Sequence, residues 1–88
     1  MLIKLIEVKR EAEGIAHLSE IFVNSNHIIS VSEESYNHPL IKENLGLSED
    51  VTFSSILLSE GYRTRKVTVV GTPAEINTKV KRKQILRG

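Results

Sequence analysis

The pattern of apolar and polar positions along the chain is mostly that of β-strands. Ile29 and Val31 alternate with serines, and Val67 and Val69 alternate with Lys66 and a threonine, so each stretch has the period of two of a half-buried strand. The first nine residues are apolar on both faces, which is typical of a central strand. The pattern predicts five strands, at residues 1–9, 19–24, 27–33, 51–59 and 62–70.

Turn residues separate these strands. Asn24-Ser25-Asn26-His27 is a turn signal, because Asn and Ser side chains bond their own backbone, and it predicts that strands two and three form a hairpin. Glu60-Gly61 predicts a second hairpin, between strands four and five. In the second strand Ile21 and Val23 share one face and Phe22 lies on the other. We expect both phenylalanines, Phe22 and Phe53, to belong to the core.

The clearest local signal marks a helix near the C-terminal end. Thr72 is a good N-cap, Pro73 fits the first helical position, and Glu75 stands where a capping box requires an acid. The helix is predicted over residues 73–83, with Ile76 and Val80 packed on the sheet. A strand, a glycine and a helix start can also hold a phosphate. Capping is the favoured interpretation, because Pro73 lacks an N–H donor and Glu75 would repel an anion.

Residues 34–50 carry the weakest structural signal. Pro39 can open a short helical turn that Gly46 closes in the left-handed conformation, and the alternative is a long loop. The chain as a whole predicts one domain over residues 1–88. Its fold class is mainly β, with about five antiparallel strands in a sheet or small open barrel, one C-terminal helix and a basic tail.

Five short apolar motifs occur in order before the terminal helix: Met1-Leu2-Ile3-Lys4-Leu5, Ile21-Phe22-Val23-Asn24, Ile28-Ile29, Ile56-Leu57-Leu58 ahead of Gly61, and Val67-Thr68-Val69. This layout resembles the FlbD family of small flagellar and swarming proteins, and similar uncharacterised small proteins of tailed phages. The resemblance covers roughly residues 1–33 and 52–80. It implies a small accessory protein, and it brings no known site residues to this chain.

The net charge of +1 hides a strong asymmetry along the chain. Residues 1–61 hold ten acidic groups against four basic ones, a net charge of −6, whereas residues 62–88 hold eight basic groups against one acid, a net charge of +7. Such polarity favours either an anionic partner at the basic part or head-to-tail association of identical chains. We therefore expect a homo-oligomer, most simply a dimer.

The basic part supplies the candidate ligand-binding residues, which are Arg63, Arg65, Lys66, Lys79, Lys81, Arg82, Lys83 and Arg87. If the helix packs back across the fifth strand, they form one patch that binds phosphates, as in nucleic acid or a nucleotide. The alternative is that Lys and Arg near a helix C-terminus only complement the helix dipole. Tyr36 and Tyr62 are the aromatic residues we expect to be available for stacking on a base.

The residue types that support catalysis or metal binding lack the spacing that these functions need. The chain has no cysteine, and His17, His27 and His38 lie in or beside predicted turns. Glu33-Glu34 and Glu49-Asp50 flank the weak segment, where exposed acids are the plain interpretation. We expect no enzymatic activity, no cofactor and no metal. Apolar runs are at most three residues long, so we expect a cytoplasmic protein that does not enter a membrane.

These observations predict a small non-enzymatic accessory binding protein of phage or bacterial type. It would engage an anionic ligand, such as nucleic acid or a nucleotide, through the basic C-terminal patch. The alternative is a protein–protein adaptor, or an inhibitor of a host protein, that acts through the acidic segment 34–50. The two hypotheses differ in which charged surface the partner needs.

Overall fold

The computed structural model describes residues 2–10, 16–34 and 39–87, and for residues 39–41 and 82–87 it describes the backbone. The predicted fold class is confirmed: the described chain has five antiparallel strands and a C-terminal helix, with one short helix between strands three and four. In chain order the elements are β1 (Leu2–Arg10), β2 (Ala16–Asn24), β3 (Ile28–Glu33), α1 (Pro39–Asn44), β4 (Phe53–Glu60), β5 (Arg63–Val70) and α2 (Pro73–Arg87).

The strands form one sheet in the order β2-β1-β5-β4-β3. β1 lies between β2 and β5, as its two apolar faces predicted. β4 and β5 form the predicted hairpin, and Gly61 in its turn has a φ of 68°, which a residue without a Cβ adopts without strain. The glycine is needed here because a two-residue hairpin turn requires positive φ.

The predicted hairpin between strands two and three is wrong. β2 pairs along its whole length with β1, from Leu2 opposite Asn24 to Arg10 opposite Ala16, while β3 pairs with β4. The turn signal between them forms a single 3-10 turn at Ser25–His27, in which the Asn24 side chain accepts a hydrogen bond from the Asn26 N–H. That turn bends the chain without reversing it, so β3 leaves on the opposite edge of the sheet.

This connection forces the sheet to curl. In a flat five-stranded sheet the two edge strands lie about 19 Å apart, four spacings of about 4.8 Å. The four residue-to-residue steps from Asn24 to Ile28 span at most about 14 Å. The edges therefore approach each other at the 3-10 turn, and α2 packs against β3 and β1 across the concave face.

The core lies inside this curl. Its buried members are Ile3, Leu5, Val23, Ile56, Leu58, Val67, Val69 and Ile76, and Val80 packs against them from α2. The predicted packing of Ile76 and Val80 on the sheet is confirmed. α2 begins at Pro73 as predicted and continues to Arg87, four residues beyond the expected end. Its two anchor residues stand four apart, so one face of the helix closes the open side of the sheet.

The predicted cap of α2 is also present. Thr72 accepts a hydrogen bond at its Oγ1 from the Glu75 N–H at 3.1 Å, and its carbonyl accepts one from the Ile76 N–H at 3.1 Å. Thr72→Ala is expected to lower the free energy of unfolding by about 1 kcal/mol, because an N–H of the first turn loses its acceptor. Urea denaturation measures the change.

Thr78→Ala is the matched control for this variant. The Thr78 hydroxyl donates to the Ala74 carbonyl within the exposed part of the helix, a bond that adds little to helix stability. We expect its midpoint to stay close to that of the unsubstituted chain. Equal midpoints for both variants would show that Thr72 does not stabilise the start of the helix.

The weak segment before β4 adopts the helical alternative. α1 ends at Asn44, and Gly46 follows with a φ of 71°. Lys42 is buried: its Nζ lies 5.6 Å from the centre of the Phe53 ring and donates to the Glu49 carbonyl at 3.2 Å. These contacts attach the segment to β4. No helix in the described part of the chain is long and apolar enough to cross a membrane.

Candidate nucleic-acid interface

The eight predicted ligand-binding residues fall into two groups in the structure. Three of them lie near the start of β5, and this strand group consists of Arg63, Arg65 and Lys66. The other five lie on α2, and this helix group consists of Lys79, Lys81, Arg82, Lys83 and Arg87. All three residues of the strand group are exposed, and so are Lys79 and Lys81. The side chains of the remaining three lie outside the described residues.

The pleat of β5 divides the strand group. Arg65 stands opposite Leu58, a core residue, and therefore projects on the inner side of the sheet at its rim. Lys66 stands opposite Leu57 and projects on the outer side. Arg63 shares the inner side with Arg65, because alternate residues of a strand face the same way. The strand group thus presents two guanidinium groups to one side and one ammonium group to the other.

The guanidinium of Arg65 lines an open cleft between the end of β2 and the β4–β5 hairpin. We call this the hairpin cleft; its volume is about 170 Å³, and Phe22, His27, Glu60 and Arg65 are among the residues that line it. The Nε of Arg65 lies 3.5 Å from Oε1 of Glu60, with both side chains about half exposed, at 54% and 49%. An ion pair this open to water contributes little to stability, so the guanidinium can exchange its partner for another anion.

Phe22 is the functional candidate that the sequence interpretation missed. We expected it in the core, and this is wrong: 65% of it is exposed, whereas Phe53 is 4% exposed and is confirmed as buried. The inner positions of β2 are occupied by Ile21 and Val23, so the intervening residue must face outward. The alternation around Phe22 already contained this signal. Tyr62, which we expected to be available for stacking, is fully exposed and lies in the hairpin turn, not in the strand as predicted, and Tyr36 lies outside the described residues.

The helix group approaches the sheet at β1. Lys79 donates from its Nζ to the Lys4 carbonyl at 3.2 Å. β5 ends at Val70, soon after the pairing of Val69 with Glu7, and so it does not reach Lys4. The helix thereby supplies a donor to a carbonyl that the β5 ladder does not reach. α2 makes most of its contacts with β3 and β1, so the helix group and the strand group stand on elements that are not each other's main packing partners.

The sequence also raises two possibilities that it does not favour, a phosphate site at the start of α2 and metal binding by the histidines, and the structure describes the start of α2 and two of the histidines. A cleft of about 300 Å³ at the start of α2 is lined by Asp50 and Glu75 besides Gly71, so its charge is negative, which favours the capping interpretation over a phosphate site. His17 and His27 are exposed, and His38 lies outside the described residues. Within residues 2–10, 16–34 and 39–87, no three His, Cys, Asp or Glu side chains come together in a group that could hold a metal ion.

The fold and this site define a small β-sheet protein with a helix across its concave face and basic residues on both β5 and α2. No protein-family model, no curated protein and no solved structure matches the chain. The resemblance to the FlbD family and to small phage proteins therefore stays a prediction.

Proposed function

We propose that this protein is a small, non-enzymatic accessory binding protein of phage or bacterial type, and that it binds nucleic acid through its two basic groups. The observation that carries the proposal is the exposure and the ion pairing of three of the cations. Arg63, Lys66 and Lys81 are exposed, and none of them forms an ion pair with a residue that the structure describes. Such cations release counterions from a phosphate backbone when they bind it, which favours association.

The size of the hairpin cleft supports a polymeric ligand over a free nucleotide. Pockets that enclose small ligands usually measure about 300–1,000 Å³. The hairpin cleft is smaller, at about 170 Å³, and is open to solvent. The two basic groups stand on different elements, β5 and α2, and a chain of phosphates can contact both.

The salt dependence of binding tests this proposal. On single-stranded nucleic acid the logarithm of the affinity falls with the logarithm of the salt concentration, with a slope of about −0.7 per neutralised phosphate. Three to five contacts give a slope of about −2 to −3.5. Replacing Lys81, Arg82 and Lys83 together by Ala is expected to flatten the slope by up to about 2. Fluorescence anisotropy with a labelled oligonucleotide at several salt concentrations measures both slopes.

A matched acidic variant is the control. Glu43, Glu49 and Asp50 are exposed, and their joint replacement by Ala leaves the hydrogen bond between Lys42 and the Glu49 carbonyl possible, because that acceptor is a backbone group. We expect this variant to bind nucleic acid equally well or slightly more tightly. An unchanged slope in the basic variant would contradict the proposed role of the helix group.

The adaptor alternative predicts the reverse pattern. Its surface is the acidic segment, of which Lys42 anchors the described part through Phe53 and the Glu49 carbonyl, beside the exposed acids Glu43 and Asp50. In a pulldown with nuclease present, a partner lost from the acidic variant and kept by the basic one would favour the adaptor. The homo-oligomer also stays a proposal, and light scattering of the 9.9 kDa chain at low and high salt tests it.

A further inference from the structure

We infer that the hairpin cleft is a binding site for single-stranded nucleic acid, in which a base stacks on Phe22 while Arg65 contacts an adjacent phosphate. The inference rests on the function proposed above and specifies its ligand. It adds to the basic residues a stacking platform that lies outside the basic C-terminal part of the chain, on β2.

The exposure of Phe22 is the first argument. A phenylalanine with 65% of its surface in water, on a strand whose other face is packed in the core, loses apolar contact with no compensation from the fold. On the same face its cross-strand neighbour is Lys4, which forms an ion pair with Glu20 at 3.4 Å, and its diagonal neighbours are Leu2 and Ile6. The ion pair of Lys4 with Glu20 therefore interrupts the apolar residues around Phe22, so the ring does not lie in a continuous apolar surface of the kind that docks a protein.

The position of cations on both sides of Phe22 is the second argument. Across the hairpin cleft lies the guanidinium of Arg65. On the other side of β2 lies β1, where Lys4 stands opposite Phe22 on the same face of the sheet, with its ammonium group 3.4 Å from the carboxylate of Glu20. Proteins that bind single strands combine such cations along the backbone with aromatic rings on which the bases stack.

The hairpin turn offers a second aromatic ring. Tyr62 is fully exposed at the tip of the β4–β5 hairpin, two residues after Glu60, which lines the cleft. Arg63 follows it directly on β5. A strand that leaves the cleft over the hairpin therefore meets a second ring beside a second guanidinium. In a duplex the bases already stack on each other, so this arrangement favours a single strand.

Removing the bases while keeping the phosphates tests the inference. The probes are a labelled oligothymidylate of about twelve nucleotides and an abasic strand of the same length, since one such site covers about 4–16 nucleotides. The unsubstituted chain is expected to bind the oligothymidylate more tightly. Phe22→Ala is expected to weaken that binding by about fivefold to a hundredfold and to leave binding of the abasic strand unchanged. Phe22→Trp is expected to retain the affinity.

Leu18→Ala is the matched control. Leu18 is another partly exposed apolar residue on the same face of β2, 39% exposed, and it is not among the residues that line the hairpin cleft. We expect it to bind both probes as the unsubstituted chain does, and thermal melting confirms that each variant is folded. If Phe22→Ala weakens the two probes equally, or if the abasic strand binds as tightly as the oligothymidylate, stacking is excluded while the proposed function stands. If neither probe binds at all, the stacking inference and the proposed function are both contradicted.

Discussion

Ile76→Ala is expected to lower the free energy of unfolding by about 2–5 kcal/mol, the largest effect on stability that we predict. Ile76 is 1% exposed and is the residue through which α2 enters the core of the sheet. Truncation removes apolar contacts and leaves a cavity that the curled sheet closes only in part, because its strands are held in register. In a chain of this size, whose total stability is about 5–15 kcal/mol, such a loss is a large fraction of the whole.

Equilibrium unfolding in urea, followed by circular dichroism, measures this loss. Ile76→Val removes one methylene group and is expected to cost about 0.5–1.5 kcal/mol. Asn77→Ala changes the exposed neighbour and is expected to stay within about 0.5 kcal/mol of the unsubstituted chain. A loss below about 0.5 kcal/mol for Ile76→Ala would mean that α2 does not close the core.

Arg65→Glu is expected to weaken binding of a single-stranded oligonucleotide by about 25-fold at about 0.1 M salt. The estimate follows from the slope of about −0.7 per phosphate: one contact contributes about fivefold between about 1 M and 0.1 M salt, and reversing its charge replaces that attraction by a repulsion of similar size. Arg65 is half exposed and pairs with Glu60 through water-accessible atoms, so its replacement changes stability little.

Glu60→Gln tests the same charge in the opposite direction. It removes the carboxylate that lies 3.5 Å from the Arg65 guanidinium and keeps a side chain of the same shape. We expect binding to tighten by up to about fivefold, because one phosphate-repelling charge leaves the cleft. Anisotropy titrations under one buffer condition compare the two variants. Equal affinities for Arg65→Glu and Glu60→Gln would remove the hairpin cleft from the binding site.

Local signals along the chain were sufficient for most of the elements. Thr72, Pro73 and the spacing of Ile76 and Val80 are enough to identify the start and the packed face of α2. Gly61 likewise identifies the turn between β4 and β5, because these features depend on residues close together in sequence.

The pairing of β2 could not be derived in the same way. The turn signal at Asn24 is equally compatible with a hairpin and with a 3-10 turn that lets the chain continue. The partner of β2 is decided by its long ladder of hydrogen bonds with β1. The two strands are connected by the segment around Gly14, whose polar sequence does not predict a particular turn type. Strand pairing depends on the packing of the whole sheet, and a single turn motif does not contain that information.

The sequence predicted which charged residues belong to the candidate site, but it did not predict how they are arranged or that Phe22 is exposed beside them. The basic residues are visible in composition, but their division into two groups follows from the contacts of α2 with β1 and β3. The exposure of Phe22 follows from the position of its neighbours Val23, which is buried, and Ile21, which packs partly buried against the core. The sequence interpretation gave more weight to the general preference of phenylalanine for buried positions. The alternation of faces along the strand predicts the position of Phe22 better than the general burial preference of phenylalanine does.

The central claim, that the protein binds nucleic acid through its basic groups, is tested most directly by titrating the unsubstituted chain into a labelled single-stranded oligonucleotide at two salt concentrations. With three to five phosphate contacts, we expect measurable binding at about 50 mM salt and an affinity about 20- to 100-fold lower at about 200 mM. An affinity that does not change between the two conditions, or no binding at the lower one, would contradict it.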